Sequence, residues 1–228
     1  MGRPLRAAQG GLVYHTLNRA NARRTIFEDD GDFAAFEGIL ADAVTRYAMR
    51  LLAYCVMPNH FHLLLWPRGD GDLSRFMQCL TLTHTQRWPA HRRTAGCGHL
   101  YQGRFKSFPV QSDDHFLTVR RYVERNALRA KLAPRAEDWR WGSLARGNTS
   151  DADAEPRLSR WPIYWPSDLT LGVNMPMTPA EEEAVMHSIR RGQPYGTERW
   201  QKRTASRLGL ESTFRPRGRP GKKPNKGT

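Results

Sequence analysis

The stretch CVMPNHFHLLLWP, Cys55 to Pro67, sets two histidines, His60 and His62, on either side of one bulky apolar residue. Apolar runs of strand length flank Pro58-Asn59, so the spacing predicts a β-hairpin with Leu51–Val56 as one arm and Phe61–Trp66 as the other. Successive side chains of a strand point to opposite faces. His60 and His62 therefore share a face, while Phe61 points the other way into a core. Two imidazoles side by side can hold a divalent metal. An isolated HxH is also what one surface and one core histidine look like, so its weight depends on a second element.

That element is RRYVERNALRAKL, Arg120 to Leu132. Val119, Val123, Ala127 and Ala130 recur at helical spacing, and Asp113-Asp114 precede the segment as caps. Tyr122 and Asn126 are four residues apart and so neighbours on one helical face. Offered to a pair of metal-binding histidines, they complete a set: Tyr122 as nucleophile, Asn126 as a third ligand through its carbonyl oxygen. Taken alone, Tyr122 reads as a core or interface aromatic.

Outward from these two elements the pattern is regular. Leu12–Leu17 is strand-like. Asp32–Tyr47 carries Phe33, Phe36, Ile39, Leu40, Ala43, Val44 and Tyr47, the stripe of an amphipathic helix. A second helix is predicted over Leu73–Trp88, ended by Pro89, and a strand or ribbon within His99–Val110. The order β, α, β, β, α, β, α predicts an α+β fold: a mainly antiparallel central sheet with helices packed on it. Past Pro134 the periodicity weakens. Asn148–Pro156 reads as a loop, Pro179–Arg191 and Glu198–Leu208 as short helices, and Phe214–Thr228 as a basic disordered tail. The organisation expected is residues 1–147 as the main domain, 148–213 as an extension packing on the core or on a partner, and 214–228 as the tail.

The 36 Lys and Arg outnumber the 22 Asp and Glu, giving a net charge of +14. That excess calls for a polyanionic partner or an acidic surface, and of these nucleic acid is favoured, because seven Trp and seven Tyr offer stacking faces for bases. No apolar run is long enough to span a membrane. Met1-Gly2-Arg3-Pro4 is followed by no apolar signal segment, and three cysteines without CxxC spacing suit a reducing cytoplasm. There is no GxxxxGK[ST] motif, so no nucleotide cofactor is expected.

Read together, these segments resemble the REP-associated tyrosine transposases, among the single-tyrosine HUH nucleases. Tyr14-His15, Asn18-Arg19, Ile26-Phe27, MPNHFHLLLWP, YQGRFKSFPV (Tyr101–Val110), RYVERNALRA (Arg121–Ala130), DWRWGSLA (Asp138–Ala145) and RRGQPYGTERW (Arg190–Trp200) occur in the family's order. The match runs from near residue 11 to near residue 220. It departs where the family often has proline after the helix asparagine and this chain has Ala127, which lets the helix continue. Trp141-Gly142-Ser143 likewise replaces a frequent WSS.

The resemblance implies an RRM-like palm and a metal-dependent single-stranded DNA endonuclease and strand transferase acting on palindromic repeat hairpins flanked by a guide tetranucleotide. The metal, Mg²⁺ or Mn²⁺, is expected on His60, His62 and Asn126, with Tyr122 forming a 5′-phosphotyrosine. Phosphate contacts are expected from Arg104 and Lys106, then Arg19, Arg120 and Arg121, and from Arg215, Arg217 and Arg219 in an arm whose GRP step resembles a minor-groove contact. Gln102 and Gly103 read as turn chemistry. The setting is a cytoplasmic, nucleoid-associated protein, a monomer in preference to a dimer. Two other readings use the same residues: a hairpin-binding regulator that does not cut, and a metal-dependent phosphohydrolase in which water attacks and Tyr122 is structural.

Overall fold

The structure, a computed structural model, describes residues 7–92, 98–147, 156–163 and 169–215. The hairpin forms as the sequence predicts. Strands β2 (Arg50–Met57) and β3 (His60–Trp66) pair antiparallel across Pro58-Asn59, with His62 opposite Cys55 and His60 opposite Met57. Strand β1 (Val13–Arg19) lies on the other flank of β3, and β4 (Lys106–Val110) lies beyond β1. The order is β2-β3-β1-β4 and every pairing is antiparallel.

Helices cover both faces, which is why the strands read as nearly unbroken apolar runs rather than as clean alternation. Helices α1 (Asp30–Arg46) and α2 (Asp72–Arg92) bring Phe36, Ile39, Leu40, Phe76 and Leu80 onto Tyr14, Phe61, Leu63 and Leu65. Helix α3 (Asp114–Glu124) and the single turn α4 (Asn126–Arg129) cover the opposite face, where Phe116, Val119 and Val123 meet Val13, Leu64 and Phe108. The alternation within β3 is therefore used on both sides: Phe61 enters one core and His62 faces the other.

Three boundaries differ from expectation. Helix α2 runs past Pro89 to Arg92, although proline removes an amide donor from the helical ladder. The Arg92 guanidinium ion-pairs with Glu28, Asp29 and Asp32 at the start of α1, which ties the last turn down. The same acidic run caps α1, with the Asp29 side chain accepting from Asp32 N. Strand β4 is shorter than the predicted ribbon, and the segment before it meets the end of β1 through the Ala20–Tyr101 bridge and a 2.9 Å hydrogen bond from Gln102 N to Arg19 O. The Tyr122 helix pauses at Arg125, yet the ladder continues through Arg125 N to Arg121 O and Arg129 N to Arg125 O, both 2.9 Å. The helical path ends at Lys131, whose φ is 59°.

After α5 (Ser143–Gly147) and α6 (Leu169–Asn174) come α7 (Pro179–Arg191) and α8 (Glu198–Leu208). A Thr178–Glu181 capping box opens α7, and Gly192 closes it at φ 71°. Val185, Ile189 and Tyr195 join the core around Phe116, Val119 and Tyr122. Tyr195 then exchanges two 2.9 Å backbone hydrogen bonds with the outer edge of β4, through Pro109 and Gln111. The outer edge of β2 is met by Trp141 at Val56 and by Ser159 at Leu51. Both sheet edges thus carry partners, which removes sites for unwanted strand pairing. No helix among the described residues is long and apolar enough to cross a membrane.

Candidate active site

The face of the sheet under α3 carries His15, Leu17, His62 and Leu64, because His15 pairs with Leu64 and Leu17 with His62. His15 and His62 are thus diagonal neighbours, and His62 Nδ1 lies 2.9 Å from His15 Nε2. His60, at the start of β3, has its Nδ1 2.5 Å from Asn59 Oδ1. Both rings line one cavity of about 600 Å³. Each imidazole has its Nδ1 held by a neighbour, which leaves Nε2 as the ligating nitrogen on the cavity side. Metal-bound histidines are oriented in the same way. Burial lowers the pKa of His60 to about 4, helped by Arg19 and Arg129, and holds His62 well below its ordinary value. Both rings are therefore neutral at pH 7, the form that ligates.

Tyr122 packs edge-on to His62, with ring centres 5.8 Å apart. Its Oη lies 3.1 Å from Met186 Sδ on α7 and 3.3 Å from Arg129 Nη2. Burial pushes the phenol pKa up, and the Arg129 charge pulls it back. Asn126, one turn on, donates from Nδ2 to Tyr122 O at 2.8 Å, and its Oδ1 accepts from Arg129 Nη2 at 2.9 Å. The amide is oriented by its own helix, with one carbonyl lone pair on Arg129. Asn126 is buried and is not part of the cavity wall. No cluster of three His, Cys, Asp or Glu side chains occurs among the described residues, so a third protein ligand beside the imidazoles needs another donor type. The donors present fit a first-row divalent ion at the two imidazoles; Asn126 fits as third ligand once it turns toward the cavity or shares its oxygen.

The cavity wall contains Arg19, Arg23, Arg104, Lys106, Arg129 and Arg190 and no carboxylate. Three of the arginines and lysines picked from sequence, Arg19, Arg104 and Lys106, stand there, together with Gln102 and Gly103. Arg120 does not: it is 3% exposed, ion-paired at 2.6 Å with Glu124 and stacked 4.2 Å from the Trp161 ring centre. That corrects its expected phosphate contact, since the polar face of a helix in sequence turned out to be an inner face. Arg121 is half-buried and pairs with Glu181 at 2.6 Å, clamping α7 onto α3. Arg215 is exposed at the end of the described chain, its carbonyl bound by Arg191. Arg217 and Arg219 lie outside the described residues.

The sequence reading missed Arg129, Arg190, Arg23 and Met186. Arg129 had a signal, lying seven residues after Tyr122 and three after Asn126 and thus on their helical face. Arg190 and Met186 had none, because only the docking of α7 brings them to the wall.

An antiparallel sheet presenting two histidines to a helix-borne tyrosine across a basic cavity is the layout of a nucleic-acid-processing protein. The family model described as "Transposase IS200 like" matches residues 8–126, and the chain belongs to that family. Among solved structures it is similar to a REP-associated tyrosine transposase bound to a REP hairpin. The identity is 18%, covering 78% of this chain and 99% of that one, with a TM-score of 0.53. It is also similar to a putative transposase from Deinococcus radiodurans R1, at 21% identity over 54% of this chain and 97% of that one, with a TM-score of 0.40. No curated protein matches the chain. The family is the one the sequence resembles, and the first likeness supports the fold: a four-stranded antiparallel open sheet packed by helices.

Proposed function

We propose that this transposase is a metal-dependent single-stranded DNA endonuclease and strand transferase that works through a 5′-phosphotyrosine at Tyr122 on palindromic repeat hairpins. One observation carries the reading. Tyr122, His60 and His62 line a single cavity whose charged wall residues are all cationic. A water-activating phosphohydrolase commonly draws on carboxylates, and this wall offers none. It suits a phosphodiester, the one polyanion that a tyrosine nucleophile and a metal would both address.

His60 and His62 would hold the divalent ion through Nε2, with Asn126 Oδ1 as third ligand. When bound, the ion supplies Lewis-acid polarisation of the scissile phosphate. The remaining work belongs to the chain. Arg19, Arg104 and Lys106 bind and orient the strand through its phosphates. Arg129 stabilises the phenolate as the Tyr122 proton leaves. Tyr122 Oη attacks phosphorus, the P–O3′ bond breaks, and a 3′-hydroxyl departs. The same hydroxyl, or another strand's, later reverses the step and frees Tyr122. The phosphodiester energy is conserved, so no nucleotide triphosphate is consumed. Residues 1–147 form the catalytic domain, and 148–213 form an extension that lays α7 over Tyr122. Tyr122 packs against His62 of its own chain, so the proposed site needs no residue from a second copy, and we take the monomer as the acting form.

The test is incubation of the full chain with Mn²⁺ and hairpin oligonucleotides taken from repeats flanking its gene. The proposal expects a nicked strand and a covalent protein–DNA band on a denaturing gel, both lost in Tyr122→Phe and His60→Ala. Nicking without the band makes water the nucleophile. Tight binding without nicking makes the protein a regulator.

A further inference from the structure

His15 is fully buried on the central strand, and its only hydrogen bond to a described residue joins its Nε2 to His62 Nδ1 at 2.9 Å. Its other nitrogen, Nδ1, is buried without a hydrogen-bond partner among the described residues. Phe108 and Tyr122 pack on its ring at 4.9 and 6.3 Å between centres. A fully buried imidazole with an orphaned nitrogen destabilises a fold, and a phenylalanine in its place would remove that penalty. The single bond it does make should account for it.

Two neutral arrangements share that bond. In the first, His62 Nδ1–H donates to His15 Nε2, and the His62 Nε2 lone pair faces the cavity. In the second, His15 Nε2–H donates, and His62 presents an N–H to the cavity. The surroundings choose between them. Arg19, Arg23, Arg104, Lys106, Arg129 and Arg190 line that cavity, so a lone pair is favoured there over a further positive N–H edge. The His15 ring is packed by Phe108 and Tyr122, and aromatic rings weakly accept an N–H but give nothing to a bare lone pair, so the His15 proton is better kept on Nδ1.

We infer that His15 is a positioning residue: it accepts the Nδ1 proton of His62 and so fixes the tautomer and ring angle that aim His62 Nε2 into the cavity. The inference deepens the proposed function and rests on its assignment of His62 as a ligand. His60 has the matching arrangement through Asn59 Oδ1, so both imidazoles are held from behind. The two supports differ in kind. Asn59 sits in the half-buried Pro58-Asn59 turn, whereas His15 is fully buried within the sheet, so His62 is the more rigidly held ligand of the pair.

The experiment is nitrogen-15 NMR of the histidine rings in the full chain without added metal, followed by titration with MnCl₂ to read paramagnetic broadening. The expected spectrum has His62 as the Nδ1–H tautomer. In His15→Phe that single tautomer is lost, and His62 broadening needs roughly 10- to 100-fold more Mn²⁺. His15→Gln, whose amide oxygen can accept from His62, recovers part of both and guards against a folding defect in the phenylalanine variant. A wild-type His62 protonated at Nε2, or a His15→Phe variant with unchanged tautomer and Mn²⁺ response, overturns the inference. If Mn²⁺ broadens neither His60 nor His62 in the wild type, the ligand assignment itself fails. The wild-type tautomer still decides the role of His15 in that case.

Discussion

Arg129 holds Tyr122 at two points. Its Nη2 lies 3.3 Å from the phenol oxygen, and its guanidinium carbon sits 4.9 Å from the ring centre. The same nitrogen bonds Asn126 Oδ1 at 2.9 Å, so one exposed cation links the nucleophile to the amide proposed as a ligand.

Arg129→Ala should therefore slow adduct formation without unfolding the protein. A hydrogen bond to a charged group is worth about 1.5–3 kcal/mol, and solvent screening brings this exposed one to about 1–2 kcal/mol. The expected loss is roughly 5- to 30-fold in rate, with the thermal midpoint nearly unchanged. Burial raises the Tyr122 pKa and Arg129 lowers it, so removing Arg129 moves it up again. The rise of rate with pH should then shift to higher pH, as measured by single-turnover cleavage across a pH series.

Acid should destabilise the fold through its buried histidines. His84 stacks on Phe27 with ring centres 5.3 Å apart and an 8° interplanar angle, and its Nδ1 lies 2.6 Å from Tyr101 Oη. Burial lowers its pKa from 6.5 to about 4, and that of His15 to about 3. The unfolded chain takes up these protons first, so stability is full above pH 6.5 and falls as pH drops toward 4. For His84 the loss is on the order of 3 kcal/mol. Denaturant midpoints between pH 7 and 4 should decline, and the decline should shrink in His84→Phe.

Metal and DNA should bind cooperatively. The cations in the wall, most of them exposed, repel a divalent ion through solvent-screened charge, and an incoming phosphate cancels part of that repulsion. Mn²⁺ affinity should rise at least about 10-fold when a single-stranded oligonucleotide is present, and oligonucleotide affinity should rise equally with Mn²⁺. Titrations in both orders check the equality.

The docking of α7 depends on Glu181, which pairs with Arg121 and closes the capping box on Thr178 N at 2.8 Å. Glu181→Ala should cost about 1–2 kcal/mol. Amide exchange should speed up across residues 179–191 and hardly at all in β1 and β3.

The hairpin was legible because two apolar runs of strand length joined by Pro58-Asn59 have one simple reading, and the Tyr122 helix because its spacing is local. What sequence could not show was set by long-range docking. Arg120 looks like its neighbour Arg121, yet Glu124 and Trp161 enclose it, and Trp161 arrives from 41 residues away. Arg92 holds a helix past Pro89 through acids some sixty residues earlier. Arg190 and Met186 reach the cavity only because α7 packs beside α3.

The central claim is that Tyr122 attacks DNA, and the direct measurement locates the bond. After reaction with a repeat hairpin and Mn²⁺, the protein is digested with trypsin and nuclease, and its peptides are weighed. The account predicts a nucleotide phosphate on Tyr122 alone, absent from His60→Ala. An adduct on another residue, or cleaved DNA with every peptide unmodified, would contradict it.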